Sequence, residues 1–274
     1  NDLNAIKTNS TTLGYDYLIQ NGIDFKRCKK LFGVDFTESG GGWRPIGNCT
    51  GNCVTGNADG VDYPYLGTFD GGNYLIGNLY VDLNGPIAGL FGSPHSADTS
   101  GNGAFRNIGV SGYVSGTGFV GGLVAWTYTN ADVNNSYFRG TVVGTQDYVG
   151  GLIGLGTHAD IDNSYSAGRV SSSGDKVGGL VGGAPLSSTS GSYSAATVSG
   201  VNYVGGLGGY MPVAEIDNSY AAGKITCTGT SCGGLVGWSS GGGFSSFASN
   251  SWYNHSEDDA TGCVGDWGTA DSNG

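Results

Sequence analysis

The sequence predicts an all-β fold, a parallel β-helix (β-solenoid) wound from rungs of ~28 residues. Three observations point to it: a recurring Gly-Gly-Leu motif, a second recurring Asn-Ser-Tyr motif, and abundant glycine set among apolar residues. The first motif reads Phe-Val-Gly-Gly-Leu-Val-Ala over 119–125, Tyr-Val-Gly-Gly-Leu-Ile-Gly over 148–154 and Lys-Val-Gly-Gly-Leu-Val-Gly over 176–182. Tyr-Val-Gly-Gly-Leu-Gly-Gly follows over 203–209 and Ser-Cys-Gly-Gly-Leu-Val-Gly over 231–237, after a degenerate Ile-Ala-Gly-Leu-Phe-Gly over 87–92. The motif leucines Leu90, Leu123, Leu152, Leu180, Leu207 and Leu235 are spaced by 33, 29, 28, 27 and 28 residues.

The second motif lies between the leucines. Asn-Ser-Tyr occupies 135–137, 163–165 and 218–220, with Gly-Ser-Tyr at 191–193 and Asn-Ser-Trp at 250–252. Five residues after Tyr137, Tyr165, Tyr193 and Tyr220 comes a β-branched residue: Val142, Val170, Val198 and Ile225. Val133, Ile161 and Ile216 stand two before the Asn of three copies. Each repeat thus holds three short apolar patches parted by Gly, Ser, Asn or Asp. Such patches are too short for helices, and their β-branched and Tyr content favours strands. With one repeat per rung, each position stacks on its equivalent every ~4.8 Å, so the Leu, Val and Tyr columns form a continuous ladder. The Gly-Gly pair predicts a tight bend or a close backbone approach. A β-propeller is the rival architecture, but its blades need ~40–50 residues.

The periodic stretch runs over 87–237. Residues 1–86 read as an N-terminal cap and first irregular rungs, with a short helix over 2–6 and a strand from Tyr15 to Phe25. Residues 238–274 read as a last rung and an irregular cap or intersubunit segment, losing the period after Trp252. All three parts make one continuous domain. A solenoid exposes raw strand edges at its ends, which must be capped or paired. An incompletely capped end stacks head to tail on another copy, and such contacts build filaments.

Glycine makes up 55 of 274 residues without a collagen period, while hydrophobic residues still reach 38%. The net charge of −11 and the absence of a basic run argue against nucleic acid. No apolar stretch approaches the ~20 residues of a membrane span. A start at Asn1, without Met, fits an exported and processed product. Six cysteines, Cys28, Cys49, Cys53, Cys227, Cys232 and Cys263, suggest disulfides and an oxidising compartment. Cys49 with Cys53 and Cys227 with Cys232 are near enough to bridge locally, leaving Cys28 and Cys263, although six cysteines allow 15 connectivities. Cys232 takes the motif place held by Val120, Val149, Val177 and Val204, so its bridge is expected to be buried at a corner. Zinc is the alternative, but neither spacing is a two-residue knuckle.

The repeated Val-Gly-Gly-Leu-Val-Gly resembles the GLUG repeat family. Trp43-Arg44-Pro45-Ile46-Gly47 and the run from Tyr65 to Ile76 look like the lead-in of such domains, and Asp2 through Asp24 like their N-terminal strand region. The resemblance covers roughly 2–255. It implies extracellular bacterial or archaeal surface proteins: adhesins, large repeat proteins and the non-catalytic region of IgA-specific metallopeptidases. Those peptidases depend on a His-Glu-x-x-His helix, which His95, His158 and His255 do not form, so peptidase activity does not carry over.

Candidate sites are sparse. His158, Asp160 and Asp162 precede one Asn-Ser-Tyr copy, and Glu215 and Asp217 another. Asp160 and Glu215 would lie two rungs apart, ~10 Å, which is marginal for the carboxylate pair of an inverting glycosidase. Solvated turn carboxylates are the plainer reading. Asn57, Asp59 and Asp62 could offer oxygens to Ca²⁺ but match no complete calcium loop. No Ser-His-Asp or Cys-His set and no phosphate loop is present in the sequence. Tyr148, Tyr203, Trp126 and Trp238 flank the Gly-Gly-Leu motifs and could stack on sugars, packing against loops being the alternative. Asn9, Asn48, Asn134 and Asn254 head glycosylation sequons that suit exposed loops. The expectation is a secreted, non-enzymatic structural protein without cofactors, whose partners are its own copies and extracellular glycans.

Overall fold

The computed structural model describes residues 3, 14–27, 42–47, 65–93, 105–127, 131–240, 248–254 and 264–268. The described residues form a coil of parallel strands in four sheets of eight, nine, six and six strands. One regular rung shows the plan. Val133–Asn134 lies on a short face, Tyr137–Gly144 on a long face, Val149–Gly150 on a Gly-Gly face and Ile153–Gly156 on a return face. Ile161–Asp162 then stacks on Val133–Asn134, starting the next rung. The three apolar patches of the sequence therefore resolve into four sides, because the Gly-Gly-Leu motif itself turns a corner.

On the long face, side chains alternate in and out as a pleated strand requires. Phe138 and Val142 point inward, Tyr137 and Arg139 outward. Val142, Val170, Val198 and Ile225 stack in register along the stack. All six motif leucines are buried. Their backbones form a ladder of their own outside the strands: the Leu152 N–H donates to Leu180 and that of Leu180 to Leu207, at 2.8 and 2.9 Å. The Gly-Gly pair works by close approach. A side chain on Gly150 would meet the Ile153 carbonyl, and one on Gly151 the Gly179 carbonyl, at 2.0 and 2.1 Å.

The Asn-Ser-Tyr motif is explained residue by residue. Asn135, Asn163, Asn218 and Asn250 turn the corner at φ between 47° and 49°, where Asn is tolerated. The following serines form a buried ladder. Ser164 Oγ accepts the Ser136 N–H at 3.1 Å and donates to the Asp162 carbonyl at 2.8 Å. Ser192 and Ser219 repeat both bonds in the next rungs. Tyr137, Tyr165, Tyr193 and Tyr220 then stack face to face at 4.8 Å, and Trp252 extends the pile at 4.4 Å. The four tyrosine rings are half-buried on the outer surface, not in the core as the ladder expectation placed them, and Trp252 is exposed. The inward positions of the same strand are already filled by Phe138 and its equivalents.

The stack reaches further at both ends than the sequence period. Tyr17–Leu18 pairs with Phe69–Asp70 and Ile23–Asp24 with Ile76 and Gly77. The single strand expected from Tyr15 to Phe25 is thus two strands in different sheets, joined by a corner. Trp43, Tyr65, Phe69, Phe91 and Phe105 fill this end of the core with rings. Trp43 Nε1 donates to the Leu90 carbonyl at 3.1 Å. Past Trp252, Val264–Gly268 pairs with Val236–Ser240 and continues the return face. Of the helix expected over 2–6, only Leu3 is described, and it is buried.

Candidate functional site

The residues before each Val-Gly-Gly and those three after each motif leucine converge on one outer corner. Phe119, Tyr148, Lys176 and Tyr203 supply the first column; Trp126, Leu155, Gly183, Tyr210 and Trp238 supply the second. The strand pairings put Leu155 beside Trp126 and Gly183, and Tyr210 beside Gly183 and Trp238. Ring contacts join the columns into a belt along the stack. Trp126 stacks on Phe119 at 5.5 Å, Phe119 meets Tyr148 at 5.5 Å, Tyr148 meets Tyr210 edge-on at 6.5 Å, and Tyr210 stacks on Trp238 at 4.8 Å. Tyr203 closes on Tyr210 and Trp238 at 6.5 and 6.4 Å. Gly183 makes room for the Tyr148 ring, which a side chain there would meet at 2.7 Å. All six rings are half-buried.

A polar pair interrupts the belt. Lys176 Nζ donates to Asp147 at 2.9 Å and lies 4.4 Å from the Tyr148 ring centre and 5.7 Å from that of Tyr210. Burial alone would lower the Lys176 ammonium, but the Asp147 carboxylate and Tyr148 beside it hold it above its usual range. Tyr148, Lys176 and Tyr203 sit at φ of 65°, 59° and 53°, a region that side chains of this size seldom occupy.

The structure brings together Tyr148, Tyr203, Trp126 and Trp238 as the sequence suggested. Phe119 and Tyr210 were missed. Their signal was positional: Phe119 shares the offset of Tyr148 from the motif leucine, and Tyr210 that of Trp126 and Trp238.

The acidic candidates are placed otherwise. Asp160, Ser188 and Glu215 occupy successive rungs of one column, as expected. Yet the Asp160 N–H donates to the Asp132 carboxylate, and the Asp160 carboxylate accepts the Ser188 N–H, at 2.9 and 2.8 Å. Asp147, Asp175 and Asn202 form a second such ladder, each accepting the N–H of the next rung. These side chains replace strand hydrogen bonds at corners. Burial and then the Asp160 charge hold the Asp162 carboxyl above its usual range. His158 is exposed. No group of three His, Cys, Asp or Glu able to hold a metal occurs among the described residues, and no helix among them is long and apolar enough to cross a membrane.

Cys227 and Cys232 are bridged, with Cα atoms 6.2 Å apart, and Cys232 pairs with Val204 as the motif alignment required. The bridge is half-buried, not buried, since both residues lie at the solvent edge of the corner. Asn134 lies on a strand instead of an exposed loop, and the Ser136 of its sequon is buried in the serine ladder. Asn254 follows the Trp252–Tyr253 strand and is half-buried. Cys28, Cys49, Cys53, Cys263, Asn9, Asn48, Asn57, Asp59 and Asp62 lie outside the described residues.

Comparison with known proteins agrees with this geometry. The family model described as the GLUG motif matches residues 146–171, one rung from the Asp147 corner through the second motif. Halomucin of Haloquadratum walsbyi is 34% identical over 154 residues, which cover 56% of this chain and 2% of halomucin's own length. A crystal structure of "a putative immunoglobulin A1 protease from Bacteroides ovatus" superposes with a TM-score of 0.55 over 81% of this chain and 75% of that one, at 20% identity. That likeness shows the fold. The chain is a parallel β-solenoid, and its rung over residues 146–171 matches the GLUG motif.

Proposed function

We propose that this chain is an extracellular structural protein, a solenoid segment of a surface fibre or adhesin that acts in attachment or a biofilm matrix by stacking head to tail. The observation that carries this reading is the pair of ends. Leu18, in the first strand of the short face, is 60% exposed, and Trp252, in the last strand of the long face, is 57% exposed. Between them the strands pair in parallel from rung to rung, with a bulge on the long face between Ile76 and Leu79. Among the described residues no further strand follows either one in its sheet, and a terminal strand with exposed apolar side chains is a template for another strand. The partial match to halomucin supports this setting and a place within a longer chain, since the matched stretch is 2% of halomucin's length. A non-catalytic stalk of a larger surface enzyme is the same mechanical role in another context.

The reading is non-enzymatic because Asp160, one carboxylate of the candidate pair with Glu215, already serves the backbone, as does Asp132 one rung before it. Asp132 and Asp160 each accept the N–H of the rung above. A general acid or base must instead present its oxygen to a substrate.

Electron microscopy and sedimentation of the purified chain test the proposal. Filaments with an axial repeat near one protomer length are expected at high concentration. A particle that stays strictly monomeric overturns head-to-tail stacking.

A further inference from the structure

We infer that the joint between copies continues the long face in register, with Trp252 of one copy lying against Gly22 of the next. This rests on the head-to-tail stacking proposed above and names the two surfaces that make it.

The two ends carry strands of the same sheets. Ile23–Asp24 and Trp252–Tyr253 are the outermost strands of the nine-stranded long face, and Tyr17–Leu18 and Ala248–Ser249 those of the eight-stranded short face. Successive pairings lead from Ile23 through Phe138 to Tyr253, so Gly22 and Trp252 stand in one column. A rung added beyond Trp252 has the geometry with which the chain itself begins.

The pile of rings in that column is open at one end. The Trp252 ring lies on Tyr220 at 4.4 Å and 3°, and its other face meets no ring among the described residues. At the opposite end of the pile the Tyr137 ring lies against Gly109, where a side chain would meet it at 2.5 Å. The column therefore already packs a ring against a glycine of the neighbouring rung. Gly22 offers the outer face of Trp252 a seat of the same kind. It is exposed, and among the described residues a side chain there would meet the Leu75 carbonyl alone, at 3.4 Å. Covering an exposed indole removes a large apolar surface from water.

The serine ladder is open at the same end. Ser136, Ser164, Ser192 and Ser219 each donate the backbone N–H to the serine hydroxyl of the following rung. The N–H of Ser251, last in the ladder, has no acceptor among the described residues. A following rung would supply one.

Charge selects the polarity. Residues 1–47 hold six of the eleven Lys and Arg beside five Asp and Glu, and Lys26 and Arg27 are exposed just after the first long-face strand. Residues 225–274 hold five Asp and Glu and no Lys or Arg. Opposite ends attract, whereas two C-terminal ends repel. The partner that fits each end is thus the other end of a second copy.

The test is sedimentation velocity and electron microscopy of the parent and two variants over a range of concentrations. Gly22 lies outside the left-handed region, so Gly22→Val suits its own protomer while filling the seat. Trp252→Ala removes the exposed ring. Each is expected to raise the concentration needed for filaments at least tenfold, with the circular dichroism of the parent. An equal mixture of the two variants is expected to stop at dimers, because only one intact Trp252 end and one intact Gly22 end can meet. Filaments that both variants form at the parent's concentration overturn this joint and leave head-to-tail stacking standing. So does a mixture that yields no dimers while the parent assembles. A parent that stays monomeric overturns both.

Discussion

Two corners of the same rung solve the same geometric problem with different residues. At the entrance to the long face, Asn73, Asn107, Asn135, Asn163, Asn218 and Asn250 hold left-handed angles of 47–61°, with Gly191 at 57° in another rung. At the entrance to the Gly-Gly face, Tyr148, Lys176, Tyr203 and Ser231 hold angles of 53–65°. The first corner is chosen for the fold: its residues tolerate the conformation, and the next residue starts the serine ladder. At the second, large side chains bear a conformational cost of ~1–2 kcal/mol per residue. The difference separates what the coil needs from what it displays.

The comparison can be broken at the core that both corners share. Leu180→Asp puts a carboxylate into the leucine column, where nothing compensates it. A loss of several kcal/mol is expected, with the middle rungs frayed or unfolded in thermal melts and limited proteolysis. A soluble, cooperatively melting variant would show that the leucine column is not the core. Next in size is the Asn corner's own ladder. Ser164→Ala strips the acceptor from the buried Ser136 N–H and is expected to cost about 1–3 kcal/mol by denaturant titration. An unchanged midpoint would mean that the serines only fill space. The smallest effect sharpens the contrast of side chains at one angle. Asn163→Ala should lose ~1 kcal/mol, whereas Val213→Asn should gain about as much. Val213 is β-branched at φ 51° and 63% exposed, so little packing is lost with it. Equal and opposite shifts in melting temperature are the expected signature; shifts of one sign would refute the role assigned to strain.

Much of the coil was legible because stacking forces residues to match their equivalents above and below. Buried leucines, valines and serines have no freedom to vary, so they repeat in the sequence. The return face escaped notice because its outward positions, Trp126, Leu155, Gly183, Tyr210 and Trp238, share an offset but not an identity. Side chains facing solvent need not resemble one another. The N-terminal rungs were obscured for a different reason. There Phe69 and Phe105 stand in the column later held by Val133 and Ile161, and the long face carries a bulge between Ile76 and Leu79. Larger rings and an irregular register hide a rung that the backbone still forms. The carboxylate ladders were invisible because an Asp at a corner reads the same whether it faces water or the next N–H.

The hydrogen bonds between rungs all run along the axis of the coil. Tension applied end to end therefore loads the rungs in series, and the weakest one sets the force at which the molecule lengthens. Four successive rungs carry an unbroken eight-residue strand on the long face, from Gly109–Gly116 to Tyr193–Gly200. In the next rung that strand is broken into Tyr220–Ala221 and Ile225–Cys227. Under such a pull the rung with the split strand is expected to open first, leaving the four unbroken rungs intact.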